Sequence, residues 1–196
     1  MTTADFQPFM SVDEISLLRK FTPKGGNVLE FGSGGSTQLF FECGAKYLCS
    51  VDSDPDWLKK LTGNPEVRVY YKHGRWTPIH ANIGPVGRWG APAEPVPTSD
   101  WLNYTVNCWD IIPEIDYDFA LIDGRFRVAS VCQVLLRCGD LPIAVHDFWE
   151  RPWYHVVLPY LKLLERVDSL GVFRPAPGLN RQDLDKLLQA HLYVFD

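Results

Sequence analysis

The sequence predicts an α/β fold built on a doubly wound, mostly parallel sheet, and three observations support this prediction. Short apolar runs alternate with helical patterns through the first third of the chain, as in sheets wound with right-handed crossovers. The first apolar run ends directly in a glycine-rich turn, which lets a strand pass sharply into a helix. With 196 residues and 46% apolar content, the chain is long enough to bury one good core. We therefore expect a single domain over residues 1–196.

The individual elements follow from capping signals and periodicity. A capping box at Ser11–Glu14 predicts a first helix, which Thr22-Pro23 ends. Apolar runs predict strands at 28–31, 46–51, 67–71, 118–122 and 141–145, with a last strand at 191–195. Helical spacing predicts helices at 36–43, 55–61 and 128–136, a helical stretch interrupted by Pro159, and a short polar helix from about 181.

Composition and charge exclude several classes of protein. The net charge of −5 and the isoelectric point near 5.5 provide no global attraction to nucleic acid. No apolar run reaches membrane-spanning length, so we expect a cytoplasmic protein. The five cysteines are scattered without C-x-x-C spacing, which indicates reduced thiols and neither a disulfide framework nor a zinc site.

The segment Asn27–Thr37, with the sequence N-V-L-E-F-G-S-G-G-S-T, predicts a strand, a ligand-binding turn and a helix. A dinucleotide fingerprint that begins at Gly32 needs a third glycine where the chain has Thr37. The alternative pattern is acidic-x-Gly-x-Gly, formed by Glu30, Gly32 and Gly34. This pattern resembles the first motif of class I S-adenosylmethionine (SAM) methyltransferases. A carboxylate beside the turn favours a cationic cofactor and repels a pyrophosphate.

The end of the second predicted strand carries the candidate ligand for a ribose. Asp52 lies about 20 positions after Gly32, the spacing at which a carboxylate takes both ribose hydroxyls. Asp54 is interpreted as the cap of a helix that begins at Pro55. The predicted cofactor-binding residues are Glu30, Gly32, Ser33, Gly34, Gly35, Asp52 and Asp123.

The fourth and fifth predicted strands end in L-I-D-G and V-H-D-F, which resembles class I methyltransferases whose strands end in I-D-G and H-D. The resemblance spans roughly residues 28–154. It implies a Rossmann-like sheet with a closing antiparallel strand, and it implies that Asp123 lies near the transferred methyl group. Metal-dependent O-methyltransferases carry an Asp-Asn pair at the fifth strand, where this chain has Asp147 followed by Phe148.

The predicted catalytic residues are therefore Asp123, His146 and Asp147, and their chemistry has three interpretations. Asp123 and Asp147 can hold a divalent metal such as Mg²⁺. His146 can instead remove a proton from an acceptor hydroxyl, because its ordinary pKa lies near neutrality. In the third interpretation, His146 and Asp147 are a structural pair at a helix start. We favour the metal-independent base.

Three further residues are predicted to bind the acceptor. Arg125 and Arg127 favour an anionic acceptor if they face the crevice, and otherwise form a solvated face. Trp89 lies in an irregular region at about 73–109 that is rich in glycine, proline and tryptophan. We interpret this region as an ordered cap near the cofactor; the alternatives are a structural flap or an oligomer contact, for example in a homodimer.

The sequence thus predicts a SAM-dependent methyltransferase that methylates a hydroxyl of a small molecule. Expected partners are a small-molecule acceptor and no nucleic acid or membrane. Two alternatives remain open, a nicotinamide-dependent oxidoreductase and a SAM- or nucleotide-binding protein without catalytic activity. The first lacks its third glycine at Thr37, and the second leaves His146 and Asp147 with a structural role only.

Overall fold

The computed structural model describes residues 6–195, so the ends of the predicted domain lie outside the described residues. The strands are β1 (Asn27–Phe31), β2 (Tyr47–Asp52), β3 (Trp76–His80), β4 (Phe119–Ile122), β5 (Ile143–Val145), β6 (Leu161–Val167) and β7 (Leu170–Pro175). The α-helices are α1 (Val12–Phe21), α2 (Gly35–Glu42), α3 (Pro55–Gly63), α4 (Pro65–Lys72), α5 (Leu102–Thr105), α6 (Arg127–Arg137) and α7 (Arg181–His191). Short 3₁₀ helices occupy Arg88–Gly90, Ser99–Trp101, Asn107–Asp110 and Pro152–Tyr160.

The seven strands form one sheet in the order β3-β2-β1-β4-β5-β7-β6. The first five strands are parallel, while β7 pairs antiparallel with both β5 and β6. This arrangement confirms the predicted doubly wound, mostly parallel sheet with antiparallel closure. The chain reverses direction across the sheet at β1 and β4, which is the switch point where ligands bind in such folds.

The core lies on both faces of the sheet, and the central strands are buried throughout. Leu29 and Phe31 of β1 belong to the apolar cluster on one face, and Val28 belongs to the cluster on the other. The residues of β4 and β5 are all buried in the same way. Strands covered by helices on both faces are expected to be apolar at every position, which explains their uninterrupted apolar runs.

Helix starts follow the capping signals. The Ser11 hydroxyl accepts a bond from Glu14 N, and the Glu14 carboxylate accepts one from Ser11 N, so the predicted capping box is confirmed. The Asp54 carboxylate accepts bonds from Asp56 N and Trp57 N at the start of α3, with Pro55 in the first turn. This cap leaves Asp52 available for other contacts.

The predicted third strand was wrong. Residues 67–71 belong to α4, which begins at Asn64-Pro65, where the Asn64 side chain caps Glu66 N. The third strand is β3, and it contains Pro78. Proline is tolerated there because β3 lies at the edge of the sheet and pairs only with β2.

Two other boundaries also differ from expectation. The irregular region predicted at 73–109 begins only after β3, so its irregular part runs from about 81 into the 3₁₀ helix that ends at Asp110. The predicted last strand at 191–195 is the end of α7 and a turn. The strand that closes the sheet edge is instead β6, which was expected within a helical stretch.

The cysteines are free, and Cys49, Cys108 and Cys132 are buried, as expected for reduced core thiols. Across residues 6–195, every helix is too short or too polar to cross a lipid bilayer.

Candidate functional site

The glycine-rich turn after β1 packs directly against the turn after β4. Gly32 has a φ angle of +90°, a left-handed value that favours glycine. A Cβ atom at Gly32 would lie 2.5 Å from the backbone nitrogen of Gly124, so the two backbones meet with no room for a side chain. At Gly34, a Cβ atom would first meet the Trp57 ring, at 3.8 Å, which is an ordinary contact. The fold itself therefore requires glycine at Gly32 but not at Gly34.

Glu30 lies beneath this turn and is fully buried. Its carboxylate accepts hydrogen bonds from the hydroxyls of Ser36 at 2.5 Å, Thr37 at 2.7 Å and Ser50 at 2.6 Å. Burial raises the pKa of Glu30 to about 7. The side chain thus ties β1, β2 and the start of α2 together from below. The structure thus places Glu30 under the turn, and its predicted role in cofactor binding stays a prediction.

Asp52 is 8% exposed at the end of β2 and holds the turn from the side. Its Oδ2 atom accepts bonds from the backbone and hydroxyl of Ser33, at 2.8 and 2.9 Å, and its Oδ1 atom accepts one from Asp54 N at 2.9 Å. Burial raises the pKa of Asp52. Because each carboxylate oxygen accepts about two hydrogen bonds, Oδ1 retains capacity for a further donor.

Two chain segments cover the β2 side of the turn. The backbone of Gln7 and Pro8 lies so close to Gly35 that a Cβ atom there would overlap it. Gly35 therefore faces the N-terminal segment, and its predicted contact with the cofactor stays a prediction.

The second covering segment belongs to the irregular region after β3. The Ser53 hydroxyl donates to the Gly90 carbonyl at 2.7 Å, which anchors this segment at the end of β2. Next to it, the exposed Trp89 ring packs against Phe9 of the N-terminal segment, with centroids 5.5 Å apart. The predicted acceptor contact Trp89 is thus placed on the β2 side of β1, away from the ends of β4 and β5.

The three predicted catalytic residues meet at the ends of β4 and β5. One ligand-type atom from each of Asp123, His146 and Asp147 lies within 4.8 Å of the others. His146 Nδ1 lies 2.8 Å from Asp123 Oδ1. Asp147 has a φ angle of +55°, a left-handed value that is uncommon outside glycine. In the sheet, β4 and β5 are neighbours, which explains why these strand ends converge.

His146 lies on the inner side of this cluster and Asp123 on the outer side. His146 is 7% exposed, whereas a quarter of the Asp123 side chain is exposed. The second ring nitrogen, Nε2, faces the Glu14 carboxylate of α1 at 3.5 Å. Burial alone would lower the pKa of His146, but the hydrogen bond with Asp123 and the nearby negative charges raise it. His146 is therefore held between two carboxylates, with neither ring nitrogen facing the crevice.

Arg127 is a buried part of the cluster. Only 3% of its side chain is exposed, and its guanidinium pairs with Asp123 at 3.2 Å and with Asp147 at 3.0 Å. It also donates to the carbonyl oxygens of Gly124 and His146. Its donors hold the two strand ends together, and the predicted contact of Arg127 with the acceptor stays a prediction.

Asp147 is held by a second guanidinium, that of Arg151, at 2.8 Å. Burial alone would raise the pKa of Asp147, but the charges of Arg127, His146 and Arg151 lower it. Asp147 is thus ionised and already paired with cations.

These residues do not fit a metal ion. Both carboxylates of the cluster are neutralised by guanidinium groups, and His146 has both nitrogens engaged with carboxylates. A divalent cation would have to displace these partners and would be repelled by the two arginines. The donor set therefore argues against the metal-dependent interpretation.

The residues around the turn do fit SAM. Gly34 leaves room beside the turn, Asp52 offers a carboxylate at the end of β2, and Asp123 places a carboxylate oxygen on the side of β4. Negative groups on both sides of β1 suit a cationic ligand. In contrast, Thr37 fills the third glycine position of the dinucleotide pattern, and its hydroxyl is engaged with Glu30 and Gly34 N.

Two contributors to the site, Glu14 and Tyr104, were not predicted from the sequence. The capping box fully accounted for Glu14, so no sequence signal linked it to His146. Tyr104 comes from the irregular region and is fully buried. Its hydroxyl accepts a bond from Arg125 N at 3.3 Å, and a Cβ atom at Gly124 would overlap it. The predicted acceptor residue Arg125 thus lies half-buried in the turn after β4.

Comparisons with known proteins give fold relatives only. No family model and no curated protein matches the sequence. A methyltransferase-like protein from Silicibacter pomeroyi superposes with a TM-score of 0.78 at 24% identity, covering 96% of this chain and 97% of that chain. A putative caffeoyl-CoA O-methyltransferase from Staphylococcus aureus superposes at 0.57 with 10% identity, covering 87% and 86%.

A third structure is the C-terminal domain of precorrin-6Y C5,15-methyltransferase from Rhodobacter capsulatus. It superposes with a TM-score of 0.55 at 10% identity, covering 89% of this chain and 92% of that chain. The shared architecture agrees with the strand order and with the position of the glycine-rich turn at the switch point. The chain has the fold of the class I SAM-dependent methyltransferases.

Proposed function

We propose that the chain binds SAM at the carboxyl ends of β1 and β2 and transfers its methyl group to a hydroxyl of a small molecule. The fold supports methyl transfer in general, and the arrangement at Asp123 supports the choice of acceptor side. SAM supplies a methyl group that is activated by attachment to a sulfonium. The chain's own residues then have to hold donor and acceptor in line and exclude water.

The observation that carries the proposal is the difference between the two oxygens of the Asp123 carboxylate. Its Oδ1 atom accepts from His146 and Arg127, at 2.8 and 3.2 Å. Within residues 6–195, Oδ2 makes no hydrogen bond, and a quarter of the side chain is exposed. Oδ2 therefore accepts the hydrogen bond of an acceptor hydroxyl and takes up its proton as the oxygen is methylated. His146 and Arg127 fix this carboxylate from behind.

This assignment changes the role expected of His146. An imidazole acts as a base only when one nitrogen presents a lone pair to the acceptor. Here Nδ1 faces Asp123 and Nε2 faces Glu14, so His146 orients Asp123 and does not contact the acceptor.

The net charge favours a small molecule over nucleic acid as the acceptor. The fold relatives carry the names of precorrin and caffeoyl-CoA enzymes, so the fold alone does not select a substrate. A net charge of −5 repels a phosphate backbone, and Arg127 and Arg151 are engaged with acidic partners.

Two measurements test the proposal. Calorimetry should detect binding of SAM and no binding of NAD, and binding of NAD alone would favour the oxidoreductase alternative. Isotope-labelled SAM should label hydroxyl compounds within a panel of small molecules, and Asp123→Asn should lower the rate by about 10²–10⁴-fold. The exposed Glu42→Gln, on α2, is the matched control. SAM binding without transfer to any acceptor would favour the non-catalytic alternative.

A further inference from the structure

We propose that Glu14, on α1, is the positioning residue that fixes the ring of His146 and thereby the outward orientation of Asp123. This inference rests on the proposed function, because it explains how the site keeps the carboxylate ready for an acceptor. It extends the cluster beyond the strand ends to a helix that no motif connects with them.

The Glu14 carboxylate is itself rigidly held. It is 3% exposed, and its Oε1 atom accepts from Ser169 N at 3.0 Å, the Ser169 hydroxyl at 2.6 Å and Leu170 N at 3.1 Å. Its Oε2 atom accepts from Ser11 N at 2.9 Å and faces His146 Nε2 at 3.5 Å. The many donors on Oε1 leave Oε2 directed at the imidazole, so the position of the carboxylate does not depend on His146.

The two carboxylates determine the protonation of the ring between them. An ionised carboxylate has no hydrogen to donate, so each ring nitrogen that faces one is stabilised when it carries a proton. Nδ1 faces Asp123 at 2.8 Å and Nε2 faces Glu14, which together favour the imidazolium. If Nε2 were deprotonated, its lone pair would point at the Glu14 charge in a buried place, which is unfavourable.

The other charges around the ring are compatible with this state. Asp147 Oδ1 lies 3.8 Å from Nδ1. Arg127 opposes protonation of the ring, but its guanidinium is shared between Asp123 and Asp147. Burial alone would raise the pKa of Glu14, but hydrogen bonds from Ser169 and Ser11 and the charge of His146 lower it. Against the effect of burial, the pKa of His146 is raised by Asp123 and Asp147.

The consequence for the site is a fixed direction of hydrogen bonding. An imidazolium donates through Nδ1 to Asp123 Oδ1, so Oδ2 is directed outward. Without the Glu14 charge, the proton on Nε2 loses the carboxylate that stabilises it, and the ring becomes neutral at lower pH. The bond from Nδ1 to Asp123 is then no longer charge-assisted, so it orients the Asp123 carboxylate less firmly.

The first test is direct observation of His146 in the ligand-free protein by ¹⁵N NMR at neutral pH. Both ring nitrogens should carry protons, and a His146→Gln variant assigns the signals among the five histidines. A neutral ring with one unprotonated nitrogen would overturn the proposal. This measurement needs no substrate and no variant of Glu14.

The second test is Glu14→Gln, which keeps the size of the side chain and removes its charge. We expect the titration midpoint of His146 to move to lower pH and kcat to fall by about 10–100-fold with SAM affinity unchanged, as when an orienting partner is removed. Asp13→Asn is the matched control, because it removes one negative charge from the exposed side of the same first turn of α1 and leaves Glu14 in place; it should leave the His146 titration at the wild-type midpoint.

A wild-type titration of His146 in folded Glu14→Gln would overturn the proposal. Failure of the proposed function has a different signature. If the wild-type protein neither binds SAM nor transfers a methyl group, methyl transfer is excluded, while the NMR result still decides the role of Glu14.

Discussion

Gly34 offers a sharp test of the cofactor site, because the structure separates its role in folding from its role in binding. The change is Gly34→Ala, followed by Gly34→Val. In the folded chain, a Cβ atom at this position would lie 3.8 and 3.9 Å from atoms of the Trp57 ring, which is ordinary van der Waals contact. The φ angle of Gly34 is 170°, an extended value that any residue adopts.

The expected cost to folding is therefore small. Gly34 is the N-cap of α2, where alanine is less favourable than glycine, so we expect the free energy of unfolding to fall by about 1 kcal/mol or less. The bond from the backbone N–H of Gly34 to the Thr37 hydroxyl does not depend on a side chain and is retained. Urea unfolding measures this difference.

The expected cost to binding is larger. If the cofactor lies against the turn, an added methyl group takes space that the ligand needs, and a forced contact of this kind costs about 1–3 kcal/mol. That is a loss of about 5–150-fold in affinity, and the two further carbons of valine should increase it. Isothermal titration calorimetry with SAM and with S-adenosylhomocysteine measures the affinity.

Two control variants complete the experiment. Gly63→Ala in α3, where a Cβ atom meets nothing within 4 Å, should leave the affinity unchanged and raise stability by about 0.4–1 kcal/mol. Gly32→Ala, which would approach Gly124 N to 2.5 Å, should impair folding and binding together. Wild-type affinity in Gly34→Val would refute the placement of the cofactor at this turn.

Three further outcomes follow from the site. Asp52→Ala should weaken SAM binding by about 1.5–3 kcal/mol by calorimetry, and it should lower stability by about 1–3 kcal/mol because Ser33 N–H is left unpaired; unchanged affinity would place the ribose elsewhere. Since the pKa of Glu30 is raised from 4.5 to about 7, its contribution to stability is complete below about pH 4.5 and is lost as pH rises through about 7. The difference in the free energy of unfolding between pH 5 and pH 8, measured with urea, should therefore be smaller in Glu30→Gln than in the wild type by up to about 3 kcal/mol. A difference that is the same in both proteins would contradict the buried carboxylate. Chelation should not alter turnover, because Arg127 already pairs with Asp123, whereas loss of activity restored by Mg²⁺ would contradict this pairing.

The parallel part of the sheet was predictable because its strands are buried on both faces. The runs 28–31 and 118–122 are mostly apolar, and Gly32 follows the first and Asp123 the second. The wrong strand predictions concern the edges of the sheet. The segment 67–71 alternates in polarity like a strand, but the Asn64-Pro65 cap before it starts a helix. The true β3 contains Pro78, which sequence reasoning takes as evidence against a strand.

The closing strand was missed for a related reason. β6 lies at the other edge of the sheet and exposes Leu163 and Leu164, so its pattern shows no buried face. Its pairing with β7 is determined by the turn between them and by the antiparallel contacts of β7 with β5. Such contacts are made across the sheet and leave little periodic signal in the strand itself.

The location of the site was predictable, but the direction in which its residues face was not. Parallel strands end at the same edge of the sheet, so Asp123 and His146 had to be close to one another. Which of the two faces outward depends on what packs behind them. Arg127 turns inward because two carboxylates and the carbonyl oxygens of Asp123, Gly124 and His146 accept from its donors.

The packing of α1 decides which residue of the Asp123 and His146 pair faces outward. Glu14 reaches the ring from the buried side, where Ser169, in the turn between β6 and β7, and Leu170 hold its carboxylate. A histidine between two carboxylates is stabilised as a cation, so the exposed carboxylate is the group left to meet an acceptor. The same two residue types, with a different helix behind them, would place the imidazole outward as a base. The chemistry assigned to this strand end thus follows from a contact between residues that are more than a hundred positions apart in the chain.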